Sequence, residues 1–148
     1  MLRQFLLGGA VSICNIAIHA VVMTVVVWVA RTAATRELLL QGARLTAVMI
    51  CTVSVLMIAH VLEVIVWSLA YAMVDLAPTG ADLLYFAFVN FTTLGYGDLT
   101  PVDRWRLIGP ITAMNGVLLF GWSTAVIFEV LRRTAQMGQP ANLGHFRA

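Results

Sequence analysis

Charged residues are scarce in this chain of 148 residues: they make up 11% of it, against 61% hydrophobic residues. Ordinary soluble domains carry about 25% charged and about 45 to 50% apolar residues. The mean hydropathy of +0.92 reflects apolar residues that fall in long blocks, which leaves no room for a separate soluble catalytic domain. The composition therefore excludes an ordinary soluble domain and indicates a protein whose solvent is the lipid bilayer.

Lysine is absent, and the nine arginines are scattered between the apolar blocks rather than clustered. The formal net charge is only +2. A protein that follows a nucleic-acid backbone needs a basic patch or stripe, and the sequence contains none. We therefore expect no nucleic-acid partner.

Cysteine and histidine are also few. Cys14 and Cys51 lie within apolar blocks, where cysteine behaves as a small hydrophobic residue, so they predict neither a disulfide framework nor a metal site. The three histidines have no ligand spacing with these cysteines, and no two histidines are four residues apart. No nucleophile and base stand together either, so we expect no metal-dependent catalysis, no cofactor and no enzyme.

Three apolar stretches are long enough to span a bilayer, which takes about 20 residues in a helix. They run from about Phe5 to Ala30, from about Leu45 to Val74 and from about Leu107 to Leu131. Residues 31–44 form a short polar linker between the first two stretches. Residues 132–148 have too little apolar content to fold alone and are expected to form a flexible tail.

The chain changes character between the second and third stretches. Pro78 to Gly80 predict a turn, and Asp82 can cap a short helix that runs to about Thr92. An apolar segment of about 10 to 14 residues is too short to cross and is typical of a re-entrant segment. Irregular backbone at membrane depth is tolerated only where it is buried in protein or lines a water-filled cavity. The sequence therefore favours a pore.

The segment after this short helix reads Thr-Thr-Leu-Gly-Tyr-Gly-Asp over residues 92–98. It resembles the selectivity-filter signature of tetrameric potassium channels, and the order of elements over residues 45–131 resembles their pore domain. The resemblance implies an all-α membrane protein with three transmembrane helices, a re-entrant pore helix and filter between the second and third, and a homotetrameric pore. It makes 45–131 the potassium-channel pore domain, 1–30 an additional N-terminal transmembrane helix, 31–44 a cytoplasmic linker and 132–148 a flexible cytoplasmic tail.

The chemistry of potassium binding supports this resemblance. A dehydrated potassium ion needs oxygens in place of its water, and backbone carbonyls supply them without a fixed charge. Aiming consecutive carbonyls at an ion requires unusual backbone angles, and Gly95 and Gly97 permit a positive φ without a Cβ clash. Leu94 stands where valine or isoleucine is commoner, which should leave selectivity intact because the carbonyl coordinates the ion. The ligands implied for K+, the permeant ion rather than a cofactor, are the carbonyls of Thr93, Leu94, Gly95 and Tyr96 and the hydroxyl of Thr93.

The surroundings of the segment leave two questions open. By resemblance, we expect Tyr96 to brace the filter against Tyr85 and Phe86, with ordinary packing of these aromatic residues as the alternative. Val89 stands where some bacterial members carry a glutamate bonded to the aspartate after the filter. Asp98, at the outer mouth, must therefore find another partner or stay solvated.

Several residues of the third stretch resemble the inner helix that lines the cavity of these channels: Asn115, Gly116, Phe120, Thr124 and Phe128. Asn115 is expected to face cavity water, with contact to a neighbouring helix as the alternative. Gly116 is either a hinge or a site of close helix packing. Phe120 or Phe128 could form a hydrophobic constriction that gates by dewetting.

His60 and Glu63 lie three residues apart, on one face of the second stretch. Ionisable side chains are costly inside a bilayer, so we expect a structural pair, formed with each other or with a neighbouring helix. The sharper alternative is a proton-sensitive switch, because histidine titrates near physiological pH.

The arginines predict the orientation, because cytoplasmic loops carry an excess of basic residues. With the linker and the tail inside, Arg3, Arg104 and Arg106 are outside and the other six of the nine arginines are inside. We therefore expect an integral, multi-pass protein of a prokaryotic inner membrane, with an outer N terminus and a cytoplasmic C terminus.

The expected function is that of a potassium channel subunit, which conducts K+ passively through the lipid bilayer as a homotetramer. The alternative is a non-conducting or regulatory membrane subunit that uses a pore-like fold for assembly. An active transporter is less favoured, because inverted repeats with broken helices would be expected.

Overall fold

The computed structural model describes residues 1–33, 41–77 and 81–136. These residues form helices α1 (Leu2–Ala33), α2 (Gln41–Met73), α3 (Leu83–Phe91) and α4 (Ile108–Gln136), with a short 3-10 helix, Asp103–Trp105, before α4. The described residues form no strand. Three helices are long and apolar enough to cross a membrane. Over the described residues, the predicted all-α architecture with three long apolar helices is confirmed.

Each spanning helix is longer than the apolar stretch that predicted it. Helix α1 continues to Ala33 and α2 begins at Gln41, so the helices take up both ends of the predicted 31–44 linker. Helix α4 continues to Gln136, into the predicted tail. A helix satisfies its own backbone hydrogen bonds, so it has no reason to end at the edge of the hydrocarbon. The predicted turn at residues 78–80 and the rest of the linker and the tail lie outside the described residues.

Helices α1 and α4 run parallel, with α2 antiparallel to both. At one end of the bundle, the side-chain oxygen of Gln4 accepts a hydrogen bond from the backbone N–H of Leu107 at 2.8 Å. At the other end, Met23 of α1 and Val126 of α4 share an apolar cluster with Leu56 of α2. Helix α1 therefore packs along the length of α4.

Helix α3 is nine residues long, about 14 Å, which is less than half of a hydrocarbon core of about 30 Å. Asp82 caps it as predicted, since its carboxylate accepts a hydrogen bond from the N–H of Tyr85 at 2.9 Å. The chain that returns from α3 is held to the end of α2, because the N–H of Val102 donates to the carbonyl of Leu76 at 2.9 Å. Helix α3 thus packs between α2 and α4, where the largest apolar cluster lies.

Candidate functional site

Residues 92–98, the filter-like segment, leave α3 as irregular backbone and are all exposed in the single chain. Their φ angle is positive at alternate residues: 60° at Thr93, 58° at Gly95 and 80° at Gly97. The two glycines adopt the left-handed backbone expected of them. The positive φ of Thr93 was not predicted, because a β-branched residue gives no signal for a conformation that costs it roughly 1 to 2 kcal/mol. Strained residues of this kind cluster at functional sites.

Three consecutive amides fasten the start of the filter-like segment to the end of α3. The N–H of Thr93 donates to the carbonyl of Asn90 at 3.0 Å. The N–H groups of Leu94 and Gly95 both donate to the carbonyl of Val89, at 2.9 and 3.4 Å. In a trans peptide the N–H and C=O bonds point in opposite directions, and no described peptide is cis. The carbonyls of these three peptides, which belong to Thr92, Thr93 and Leu94, therefore point away from the end of α3.

Helix α4 supports the end of α3 through Gly116. A Cβ atom on Gly116 would lie 2.0 Å from the backbone oxygen of Phe91, the last residue of α3. Cβ atoms essentially never come closer than 3.0 Å to such an atom. Of the two roles considered for Gly116, the structure supports close packing.

Asp98 has a partner within the chain. The Tyr85 hydroxyl donates a hydrogen bond to its carboxylate at 2.7 Å, and both side chains are exposed. This hydrogen bond to the Asp98 carboxylate raises the pKa of Tyr85 above its ordinary value, so the phenol keeps its hydrogen. Tyr85 thus ties the C-terminal end of the filter-like segment to α3, in a chain where Val89 provides no carboxylate.

Phe86 and Tyr96, the two other aromatic residues considered for the brace, differ in burial. Phe86 is 3% exposed and packs against Tyr71 of α2, with 5.6 Å between ring centroids. Tyr96 is 68% exposed in the single chain. For Phe86 the structure supports ordinary packing, whereas the single chain leaves Tyr96 largely exposed and its role as a brace stays a prediction.

Asn115 does not face a cavity, so that prediction is wrong and its alternative is observed. The side chain is 2% exposed, and its carbonyl oxygen accepts hydrogen bonds from the indole of Trp67 at 3.0 Å and the amide of Asn15 at 3.1 Å. These donors come from α2 and α1, where buried N–H groups also need partners. Asn115 therefore joins the three spanning helices.

The remaining candidates on α4 lie toward its surface. Phe120 is 37% exposed and stands against the rings of His60 and Phe91, at 4.5 and 5.5 Å between centroids. The Thr124 hydroxyl donates to the carbonyl of Phe120 at 2.9 Å. Phe128 is 65% exposed. The single chain brings none of them together with the filter-like segment, and a constriction at either phenylalanine stays a prediction.

His60 and Glu63 form the expected pair, with 2.9 Å between Nδ1 and the carboxylate. A second histidine, His19 of α1, contacts the other oxygen of Glu63 at 2.7 Å. Ser123 of α4 stands beside both histidines. Sequence reasoning missed His19 and Ser123 because they lie on other helices. The available signal was a histidine inside an apolar span, which needs a partner there as much as His60 does.

Together, these features define a multi-pass membrane protein in which two spanning helices enclose a short helix and a glycine-rich segment. A family model described as ion channel matches residues 59–133, from the second half of α2 to the last turn of α4. The chain belongs to this two-transmembrane ion channel family. No curated protein matches the chain, and no solved structure does. The family is one of channels, which pass ions through a membrane without converting them chemically.

Proposed function

We propose that the chain is the subunit of a potassium-selective channel, with residues 93–97 as its selectivity filter. The observation that carries the proposal is the row of carbonyls at Thr92, Thr93 and Leu94, which point away from α3. Thr93 and Leu94 are two of the four residues whose carbonyls the resemblance implies as K+ ligands. Carbonyl oxygens in such a row can replace the hydration shell of K+. Membership of the ion channel family supports the permeation of ions, and the row of carbonyls supports K+ as the ion that permeates.

Four copies form the pore in this proposal. One chain presents its carbonyls on one side only, so the oxygens around an ion must come from several copies, arranged with closed rotational symmetry. The exposure of the whole filter-like segment in the single chain fits a place on that axis. Helix α3 is then the re-entrant pore helix, and its C-terminal end, which carries partial negative charge, favours a cation beside Phe91.

The distribution of arginines between the two ends of the bundle supports the proposed orientation. The contact between Gln4 and Leu107 marks one end of the bundle. The three arginines predicted to lie outside are at this end. Arg132 and Arg133 lie near the opposite end, where both bind Glu129. The arginine-rich end belongs in the cytoplasm of a prokaryotic cell, which leaves the filter-like segment near the outer surface.

The proposal is tested by the reversal potential of purified protein in planar bilayers under opposed potassium and sodium gradients. Gly95→Ala is the informative variant, because a Cβ there meets nothing within 4 Å and only the φ of +58° is penalised. Gly9→Ala is the matched control, since it also meets open space but has ordinary helical backbone. We expect a shift toward the potassium potential in wild type and Gly9→Ala, and loss of selectivity or current in Gly95→Ala.

A folded tetramer that passes no ion under any voltage or pH would contradict the proposal and favour the non-conducting subunit. Equal permeation of sodium and potassium would retain the channel and refute the selectivity.

A further inference from the structure

Four side chains, His19, His60, Glu63 and Ser123, form a closed ring of hydrogen bonds between α1, α2 and α4. The two carboxylate oxygens of Glu63 face the Nδ1 atoms of different histidines, at 2.7 Å for His19 and 2.9 Å for His60. The Nε2 atoms of both histidines face the hydroxyl of Ser123, at 3.3 and 3.0 Å. Each histidine therefore bridges Glu63 to Ser123.

The number of hydrogens in the ring follows from its donors and acceptors. Four hydrogen bonds need four hydrogens, and a carboxylate supplies none. Both Nδ1 atoms must then carry a hydrogen, and the Ser123 hydroxyl supplies the hydrogen for one Nε2 atom. With Glu63 ionised, the other Nε2 atom must carry its own hydrogen, which makes that histidine an imidazolium. A protonated Glu63 would instead donate to one Nδ1 atom and close the ring with two neutral histidines. Two neutral histidines beside a carboxylate would leave one of the four contacts without a hydrogen.

The surroundings favour this state because they offer no other compensation for the carboxylate. Glu63 and His19 are fully buried, and His60 is 9% exposed. The ring of Trp122 stands 5.3 Å from His19, and the ring of Phe120 stands 4.5 Å from His60. Among the described residues, α1 and α2 bring no ionisable side chain to this place other than His19, His60 and Glu63 themselves. The side chains that α3 and α4 present to the ring are uncharged. One imidazolium brings the buried net charge to zero, whereas an unpaired buried carboxylate is strongly disfavoured.

A transition-metal ion is the other ligand that two histidines and a carboxylate can hold, and their ligand atoms lie within 4.8 Å of one another. The contacts favour hydrogens instead. Two ligands of one tetrahedral zinc ion, each bonded at about 2.0 Å, stand about 3.3 Å apart. Nδ1 of His19 stands only 2.7 Å from its carboxylate oxygen, which is a hydrogen-bond distance.

We infer that this ring is a proton-binding site: it holds one proton, shared between His19 and His60, and that proton fastens α1 to the channel unit of α2 to α4. Losing the proton removes one contact of the ring and leaves the charge of Glu63 uncompensated between three helices. The ring is also linked to the filter-like segment through aromatic contacts. His60 stands against Phe120, and Phe120 stands against Phe91, which directly precedes that segment. The inference does not depend on which ion the channel passes.

The test is a count of protonated nitrogens by solid-state NMR on the full chain in liposomes at pH 7, with 15N-labelled histidine. His145→Gln is introduced to remove the third histidine signal. We expect three protonated ring nitrogens and one bare nitrogen per subunit. Two protonated and two bare nitrogens, or four protonated nitrogens and no bare one, would overturn the inference.

Glu63→Gln is the matched control, because the amide can donate to one histidine and accept from the other. The ring then closes with two neutral histidines, so the expected count is two and two in a folded protein.

The metal alternative is tested on the same wild-type protein, purified through a tag that contains no histidine. One equivalent of zinc per subunit, absent from Glu63→Gln, would overturn the inference by assigning the ring to a metal. Absence of bound metal, together with three protonated nitrogens, supports the proton-binding site.

Discussion

Replacing Gly116 with alanine should separate α4 from the end of α3. The new Cβ would start 2.0 Å from the backbone oxygen of Phe91 and must move to at least 3.0 Å, so the two helices must part by about 1 Å. The obstacle is backbone, which cannot rotate aside as a side chain can. Overpacking of a core typically costs about 1 to 3 kcal/mol, and the gain in helix propensity from Gly to Ala returns only about 0.5 to 1 kcal/mol.

Thermal unfolding in detergent measures this cost. A loss of 1 kcal/mol lowers the melting temperature by about 2 to 4 °C in a domain of this size, so with the propensity gain subtracted we expect a decrease of up to roughly 10 °C. Gly121→Ala is the control on the same helix, because its Cβ meets nothing within 4 Å; it should be neutral or stabilising. Since Phe91 directly precedes the filter-like segment, Gly116→Ala should also reduce the potassium current. Equal melting temperatures and currents for the two variants would refute the packing role of Gly116.

Two other contacts give predictions of the same kind. Tyr85→Phe and Asp98→Asn each weaken the hydrogen bond at the C-terminal end of the filter-like segment, so single-channel recordings should show similar changes in the two variants and little further change in the double variant; additive effects would contradict a shared contact. Asn115→Leu leaves the donors of Trp67 and Asn15 without their acceptor, at about 1 to 3 kcal/mol for each donor, so it should lower the melting temperature strongly. Adding Trp67→Phe should recover part of that loss, and an unchanged melting temperature in Asn115→Leu alone would show that the contact contributes nothing.

The architecture was predictable because the features that define it are local. Long apolar blocks identify spanning helices from composition alone, and Asp82 marks the start of α3 because a cap acts on the next turn of its own helix. Gly95 and Gly97 likewise mark left-handed backbone at their own positions. Thr93 also has a positive φ, but threonine is not a residue type that predicts one.

The interior of the bundle was less predictable because its polar partners come from different helices. The sequence of α4 by itself predicts that Asn115 faces a cavity. Only the positions of Trp67 and Asn15 show that Asn115 is enclosed. His60 and Glu63 could be paired from their spacing, whereas His19 is 44 residues from Glu63 along the chain. Spacing along one helix does not report which face a neighbouring helix will cover.

The polar contacts between α1 and α2 bear on how the chain enters a membrane. A charged side chain near the middle of an isolated helix costs about 2.5 to 3.5 kcal/mol on insertion scales, and α2 carries Glu63 inside its span. His19 lies earlier in the chain than Glu63, so its imidazole is already made when the carboxylate reaches the bilayer. Helices α1 and α2 can therefore insert as a hairpin whose charge is paired from the outset. Ser123 of α4 arrives last and completes the ring, so the order of synthesis is also the order in which the polar groups find their partners.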